Sequence, residues 1–393
     1  MKLPKGFLAS GVRAGIRKKR PDLALLVAEK GANAAALFTK NRFQAAPVIL
    51  GRRDLARSRG RVRAVVVNAG CANAVTGKPG LDAARRVRNC AAALLGFPKE
   101  EVIVSSTGVI GVVLPDAKIR AALPDAKWRL SPSGLDAASH AILTTDVGPK
   151  VAQASFAWMG RRGRVVGVAK GAGMIHPNMA TMLVFVMTDV PATPAYLKTA
   201  LRGAADVSFH LVSVDGDTST NDTVLLMASG ALGGPELAAV DDGPEFRKAL
   251  AEVCRTLAWK MVRDGEGATR VLDLTVTGAR TEAEAKAAAH AVATSPLVKT
   301  ALHGGDPNWG RILAAVGRSG ARFSEKRVSL RLGPLTLVKD GSPAPYREKD
   351  AVRIFRRERV KVVVDLGAGT ATASKLSSDL GHDYVSLNAD YRS

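Results

Sequence analysis

The residues from Gly171 to Phe185, G-A-G-M-I-H-P-N-M-A-T-M-L-V-F, join a polar, loop-like approach to a run of apolar side chains. At the junction a small residue, Ala180, precedes a hydroxyl residue, Thr181. A threonine hydroxyl becomes a nucleophile when a base takes its proton, and the α-amine of the same threonine can be that base. An internal threonine has no free amine. It gains one only if the Ala180–Thr181 bond is cut, and its own hydroxyl can begin that cut by attacking the preceding carbonyl in an N-to-O acyl shift. Such a shift needs a backbone free to bend and a small neighbour at the attacked carbonyl, which the glycines and Ala180 supply. Alone, Ala-Thr reads as a β-branched residue at the start of a strand. His176 offers a second base, but Pro177 beside it marks a turn residue.

Other polar, glycine-bearing blocks stand out from an alanine-rich background. They are N-A-G-C-A-N-A (68–74), S-S-T-G-V-I-G (105–111), T-T-D (144–146), S-V-D-G-D-T-S-T-N-D (213–222), R-D-G-E-G-A-T-R (263–270), G-D-P-N-W-G-R (305–311) and the terminal N-A-D-Y-R-S (388–393). Most follow an expected strand or helix, where binding loops are carried on a rigid scaffold. Familiar motifs fail. Gly77-Lys78 is followed by Pro79, so no phosphate-binding loop forms. Asp215 to Asp222 opens like a calcium loop, but its sixth position is not glycine and its twelfth is Leu226 instead of a bidentate glutamate. The sequence has no H-E-x-x-H. Arg164 to Ala169 fits R-x-x-G-x-A, the pyrophosphate loop of acetyl-CoA-dependent N-acetyltransferases. That loop must lead straight into a helix; here Lys170-Gly-Ala-Gly follows, so the segment reads as strand.

The stretch K-G-A-G-M-I-H-P-N-M-A-T-M-L resembles the self-cleavage segment of the ornithine acetyltransferase family, the glutamate N-acetyltransferase/ornithine acetyltransferase enzymes of arginine biosynthesis. The resemblance runs from G-F-L-A-S-G near the N-terminus, through F-T-K-N-R-F-Q-A-A-P-V (38–48), to N-A-D-Y-R-S, and so covers nearly the whole chain. It implies cleavage between Ala180 and Thr181, giving an α chain of residues 1–180 and a β chain of residues 181–393, two of each in the assembled enzyme. Thr181 would then carry the acetyl group. Thr107 and Gly108 match the family's oxyanion hole, where a hydroxyl and a backbone N–H can both donate to the tetrahedral intermediate. Lys170 suits a substrate carboxylate, and Glu266, between two glycines, suits an ammonium. Thr144 or Thr145 matches the family's threonine in T-T-D, with the register between them open. Asn388 and Ser393 match its C-terminal substrate contacts; the family usually ends in threonine, so Ser393 keeps the hydroxyl and loses a methyl. The blocks over 213–222 and 305–311 match without a role.

The implied activity moves the acetyl group of N2-acetylornithine to glutamate in two half-reactions. Thr181 attacks the acetyl carbonyl, and its amine carries the hydroxyl proton to the leaving ornithine amine. Glutamate then attacks the acetyl-enzyme. The cycle needs no metal and no cofactor, and the resemblance admits acetyl-CoA as a second donor, which would make the enzyme bifunctional. A self-processing amidohydrolase or aminopeptidase, using the same threonine with water as acceptor, is the alternative. A basic nucleic-acid binder is a third reading, prompted by a net charge of +22. The basic residues are dispersed pairs without stacking aromatics among them, which argues against nucleic acid as a partner.

These residues need positioning elements. The composition, 47% hydrophobic over 393 residues, is globular. Strands are expected over 22–29, 63–67, 101–104, 180–190, 328–338 and 359–365, with a hairpin over 151–170 turning at 160–163. Helices are expected over 80–95, 244–263 and 281–292. In the second, Phe246, Leu250, Val253, Leu257 and Met261 share one face. The apolar run Met182 to Met187 predicts a strand covered on both faces. The fold class expected is α+β, layered mixed sheets with helices outside, and the polar stretch over 234–243 is a candidate separator. No apolar run is long enough for a membrane span or signal peptide. Three scattered cysteines, Cys71, Cys90 and Cys254, suggest neither disulfides nor a zinc site. A cytoplasmic location is the expectation.

Overall fold

The computed structural model describes residues 2–176 and 182–390; Ala180, Thr181 and Ser393 lie outside the described residues. The chain forms two compact units. One comprises residues 2–176, 182–210 and 217–261, the other 211–216 and 262–390. The division falls at the end of a helix, at Met261/Val262, and not in the polar loop over 234–243, which stays within the first unit.

In chain order the strands are β1 (Phe7–Val12), β2 (Leu23–Phe38), β3 (Arg61–Cys71), β4 (Val102–Val109), β5 (Lys150–Trp158), β6 (Arg161–Lys170), β7 (Leu183–Thr188), β8 (Val212–Ser213) and β9 (Thr223–Ala228). All but β8 build the first unit's sheet, in the order β4-β3-β2-β9-β7-β6-β5 with β1 also on β2. The sheet is mixed: β3/β4 and β7/β9 run parallel, the other pairs antiparallel. The adjacent strands β7 and β9 are buried along their whole length, and apolar along nearly all of it, because both faces of the sheet are covered there. Leu23, Leu25 and Val27 point into one core with helices α2 (Gly77–Leu95) and α3 (Asp116–Trp128). Ala24, Leu26 and Ala28 point into the other, with Leu183, Phe185 and Met187 of β7 and with α4 (Leu135–Ala141). Helix α1 (Ala46–Arg57) adds to the first core, and α5 (Pro194–Asp206) and α6 (Pro244–Arg263) follow β7 and β9 in the chain.

Every residue of β7 is buried, as the apolar run predicts. The hairpin between β5 and β6 turns earlier than expected, at Met159 and Gly160, which both have positive φ. That is the demand of a two-residue turn matched to strand twist, and it releases Arg161 to Gly163 into β6. The R-x-x-G-x-A segment is strand throughout. A Cβ at Gly167 would lie 2.8 Å from Leu257 Cδ1 and 2.9 Å from Val253 Cγ1, so this glycine serves the close packing of α6.

In the second unit β10 (Val271–Ala279), β11 (Ser329–Leu332), β12 (Leu335–Lys339), β13 (Ser342–Pro343), β14 (Arg359–Asp365) and β15 (Ala371–Ser378) join β8 in the order β13-β12-β11-β14-β10-β15-β8. The single strand expected over 328–338 is two strands, broken at Gly333, which takes φ +56°. Helix α7 (Glu282–Ala293), capped by the Thr281 hydroxyl on the Glu284 amide, packs its alanines on β10 and β15. The helices α8 (Pro296–Gly304), α9 (Trp309–Gly317), α10 (Glu348–Phe355) and α11 (His382–Asp390) complete it.

Candidate active site

The first unit gathers Thr107, Gly108, Lys170 and the T-T-D turn. Thr107 and Gly108 end β4, which runs parallel to β3 with Asn68 beside Ser106 and Gly70 beside Gly108, until the register shifts at Cys71. Gly108 has φ +130°, and a Cβ there would stand 2.4 Å from the Gly70 carbonyl carbon and 2.6 Å from the Cys71 nitrogen. Only glycine fits.

Buried amides pin this corner. Asn68 Nδ2 donates to the Cys71 carbonyl at 2.9 Å, and its Oδ1 accepts from Ser106 Oγ at 2.7 Å. Asn221 Nδ2 donates to the carbonyls of Ala72 at 2.7 Å and Ser106 at 2.8 Å, while its Oδ1 accepts from Thr220 Oγ1 at 2.6 Å. Fixing the Ser106 carbonyl fixes the peptide plane leading into Thr107. The block over 213–222 thus has a role the sequence left open: its last residues brace the predicted oxyanion hole.

Lys170 ends β6 and is buried. Its Nζ donates to Thr107 Oγ1 at 3.3 Å and lies 3.9 Å from Asp146 Oδ2. Asp146, also buried, is the hub of the cluster. Its Oδ1 accepts from Lys150 Nζ at 2.6 Å and from the Gly171 amide at 2.7 Å; its Oδ2 accepts from the Thr144 amide at 3.0 Å. Arg17 holds the same turn from outside, with Nη1 on the Leu143 carbonyl at 2.7 Å. Burial alone would push the Asp146 carboxyl up, but the Lys170 and Lys150 ammonium groups overcome it and hold it well below the usual carboxylate range.

A second carboxyl goes the other way. Asp222, at the foot of β9, is fully buried, and burial pushes it well above the ordinary value despite the Met182 amide and the Lys170 charge. Its Oδ1 accepts from the Met182 amide at 2.9 Å. The two ends of the approach and exit around Ala180–Thr181 are therefore both tied into one cluster, Gly171 through Asp146 and Met182 through Asp222. Among the approach residues described, φ is positive at Gly171, +159°, and at Met174, +56°.

Glu266 and Asn388 come together in the second unit. Asn388 Nδ2, on α11, donates to Glu266 Oε2 at 2.9 Å and to the Tyr384 carbonyl at 3.0 Å. Gly267 follows with φ +68°, and a Cβ there would meet the Tyr384 nitrogen at 2.6 Å, so the loop closes tightly on α11. Ala180, Thr181 and Ser393, expected at the site from the sequence, lie outside the described residues. Among the described residues no group of His, Cys, Asp or Glu side chains is arranged to hold a metal ion.

Sequence alone does not mark Asp146, Lys150, Asn221 and Asp222 as functional side chains, although Asp146 is the third residue of T-T-D and Asn221 and Asp222 close the polar block over 213–222. Lys150 had no signal: G-P-K-V-A does not distinguish a solvated lysine from one 2% exposed.

The sequence model of the ArgJ family matches residues 8–393. The arginine biosynthesis bifunctional protein ArgJ of Thermus thermophilus is 48% identical over 392 residues, covering 100% of this chain and 99% of that protein. That of Geobacter sulfurreducens is 47% identical over 392 residues, 99% of each. A crystal structure of the arginine biosynthesis bifunctional protein from Bacillus halodurans, 38% identical, superposes with a TM-score of 0.50 over 53% of this chain and 98% of that chain.

Two variants test the site. Gly108→Ala should lower stability by about 2–5 kcal/mol through the backbone clash and strained φ, read as the shift in urea midpoint; a stable variant would refute the packing argument. Asp146 has a folded pKa below its unfolded one. Its contribution is therefore present above the ordinary carboxylate value of about 4 and lost as pH falls below it. Asp146→Asn should cost about 3–5 kcal/mol at neutral pH, by stranding buried lysine charge, and should flatten the acid limb of the stability profile. An unchanged acid limb in the variant would contradict this.

Proposed function

The chain belongs to the ArgJ family, and from that premise we propose that it transfers the acetyl group of N2-acetylornithine to glutamate through an acetyl-Thr181 intermediate. It is an acyltransferase of arginine biosynthesis. The observation that carries the reading is the buried cluster of Thr107, Lys170, Asp146 and Asp222. It anchors the chain on both sides of Ala180–Thr181 and sets a hydroxyl and an ammonium side by side.

In this reading the Thr181 hydroxyl first attacks the Ala180 carbonyl. Expulsion of the Thr181 nitrogen completes the shift and frees the amine. Water then hydrolyses the resulting ester, which restores the Thr181 hydroxyl, gives Ala180 a carboxylate and leaves residues 1–180 and 181–393 as separate chains. They stay together because β6, before the cut, pairs with β7, after it, from Val165–Thr188 to Lys170–Leu183, and β9 lies between β7 and β2. No disulfide is needed; Cys71, Cys90 and Cys254 are free.

The freed amine then serves as base for the Thr181 hydroxyl, which attacks the acetyl carbonyl. Thr107 Oγ1 and the Gly108 amide receive the oxyanion, and the amine passes its proton to the leaving ornithine nitrogen. Glutamate reverses these steps from the other side. Lys170 takes a substrate carboxylate, Glu266 supplies an anionic anchor for an ammonium, and Thr144 or Thr145 and the C-terminal Asn388 and Ser393 complete the contacts. The cycle is whole without metal or organic cofactor. Relatives carry the name bifunctional, and acetyl-CoA is the second donor we expect. No described helix is long and apolar enough to cross a membrane; we place the enzyme in the cytoplasm, as two α and two β chains. A hydrolase would share the threonine chemistry and differ only in its acceptor.

Intact mass spectrometry of the purified protein should show fragments 1–180 and 181–393. Thr181→Ala should remain a single inactive chain, Thr181→Ser should still cleave in part, and Ala180→Val should cleave more slowly. Glutamate should accept the acetyl group with ping-pong kinetics. A Thr181→Ala protein transferring acetyl groups at the normal rate would overturn the assignment, and acetate release unaffected by glutamate would select the hydrolase.

A further inference from the structure

We propose that the buried Asp146–Lys150 pair is a positioning device that holds the Lys170 ammonium against Thr107, making Lys150 a determinant of substrate-carboxylate recognition. The inference rests on the reading of Lys170 as the carboxylate anchor.

A lysine ammonium is a compact charge on a flexible four-carbon stem. With a buried carboxylate within reach, such a stem closes to direct contact, since attraction across 4 Å grows severalfold as the surroundings lose water. Here Lys170 stops 3.9 Å from Asp146 Oδ2 and donates to Thr107 Oγ1 at 3.3 Å instead. The rest of the Asp146 carboxylate is engaged. Lys150 Nζ at 2.6 Å and the Gly171 amide at 2.7 Å share Oδ1, and the Thr144 amide sits on Oδ2. Lys150 thereby offsets much of the pull that would draw Lys170 off Thr107.

The pair is itself set by backbone. Lys150 opens β5 opposite Ala169, the residue before Lys170, so the β5/β6 ladder fixes the spacing of the two lysines. Lys150 Nζ also donates to the Gly148 carbonyl at 3.3 Å, closing the short turn from Asp146 back to β5. One carboxylate thus connects the T-T-D turn, the start of the approach to Ala180–Thr181 and the ammonium beside Thr107. Removing the Lys150 charge leaves Lys170 as the nearer cation for Asp146. Lys170 then moves closer to Asp146 and away from Thr107, and the carboxylate of an incoming substrate meets a displaced cation.

The test uses the self-cleaved enzyme with N2-acetylornithine and with its α-carboxamide analogue. Lys150→Met should raise KM for the carboxylate substrate about tenfold, the scale of one charged hydrogen bond. KM for the carboxamide should change by less than about twofold, with kcat little altered for either. Lys150→Gln, which keeps a donor but no charge, should show the same split if the methionine variant fails to accumulate. Equal losses on both substrates, or no loss, would overturn the inference and leave Lys150 a structural residue. Lys170→Met reports on the underlying reading and should abolish the preference for carboxylate over carboxamide. If Lys170→Met keeps that preference, the assignment of Lys170 itself falls. If it loses the preference while the Lys150 variants keep it, only the positioning role falls.

Discussion

The antiparallel ladder between β6 and β7 is the constraint on which the rest depends. It sets Lys170 opposite Leu183, so the twelve residues from Gly171 to Met182 must leave one strand and return to its neighbour within a fixed span. Whatever chemistry happens at Ala180–Thr181 happens in a connection whose ends cannot move apart. The same ladder joins residues before and after the proposed cut, one strand in from the β5 edge of an eight-stranded sheet. A broken peptide bond there would leave the hydrophobic cores of both faces intact.

Electrostatics refines what the ladder sets roughly. Lys170 lies between two buried carboxyls whose surroundings push them in opposite directions. Asp146 is kept ionised by two lysines and two amides; Asp222, with burial dominant, is driven toward its neutral form. Environments that separate two carboxyls in this way are a mark of acid–base sites. Here the split also has a mechanical side, because each carboxyl holds a backbone amide of the connection, Gly171 on one side and Met182 on the other.

The sequence made the fold class legible because β7 and β9 are apolar along nearly their whole length, and helix α6 because its apolar residues recur on one face up to Met261. It made Thr107, Gly108, Lys170 and the T-T-D turn legible because polar residues and glycines in an alanine-rich chain mark where backbone must approach backbone. It did not show the positions decided by tertiary contact. Lys150 is a core residue only because Asp146 waits four positions earlier. Asn221 is a brace only because β9 returns beside β4's neighbour loop. The β5–β6 turn slipped to Met159-Gly160 because twist outweighed the preference for glycine and arginine at 160–163.

Incubating the enzyme with N2-acetylornithine in the absence of glutamate, then quenching and mapping the peptides by mass spectrometry, tests directly whether Thr181 carries the acetyl group. One acetyl group is expected on the hydroxyl of Thr181, at the N-terminus of the fragment 181–393, discharged when glutamate is added before the quench. An acetyl group on any other residue, or none on a protein that still turns over, would contradict that assignment.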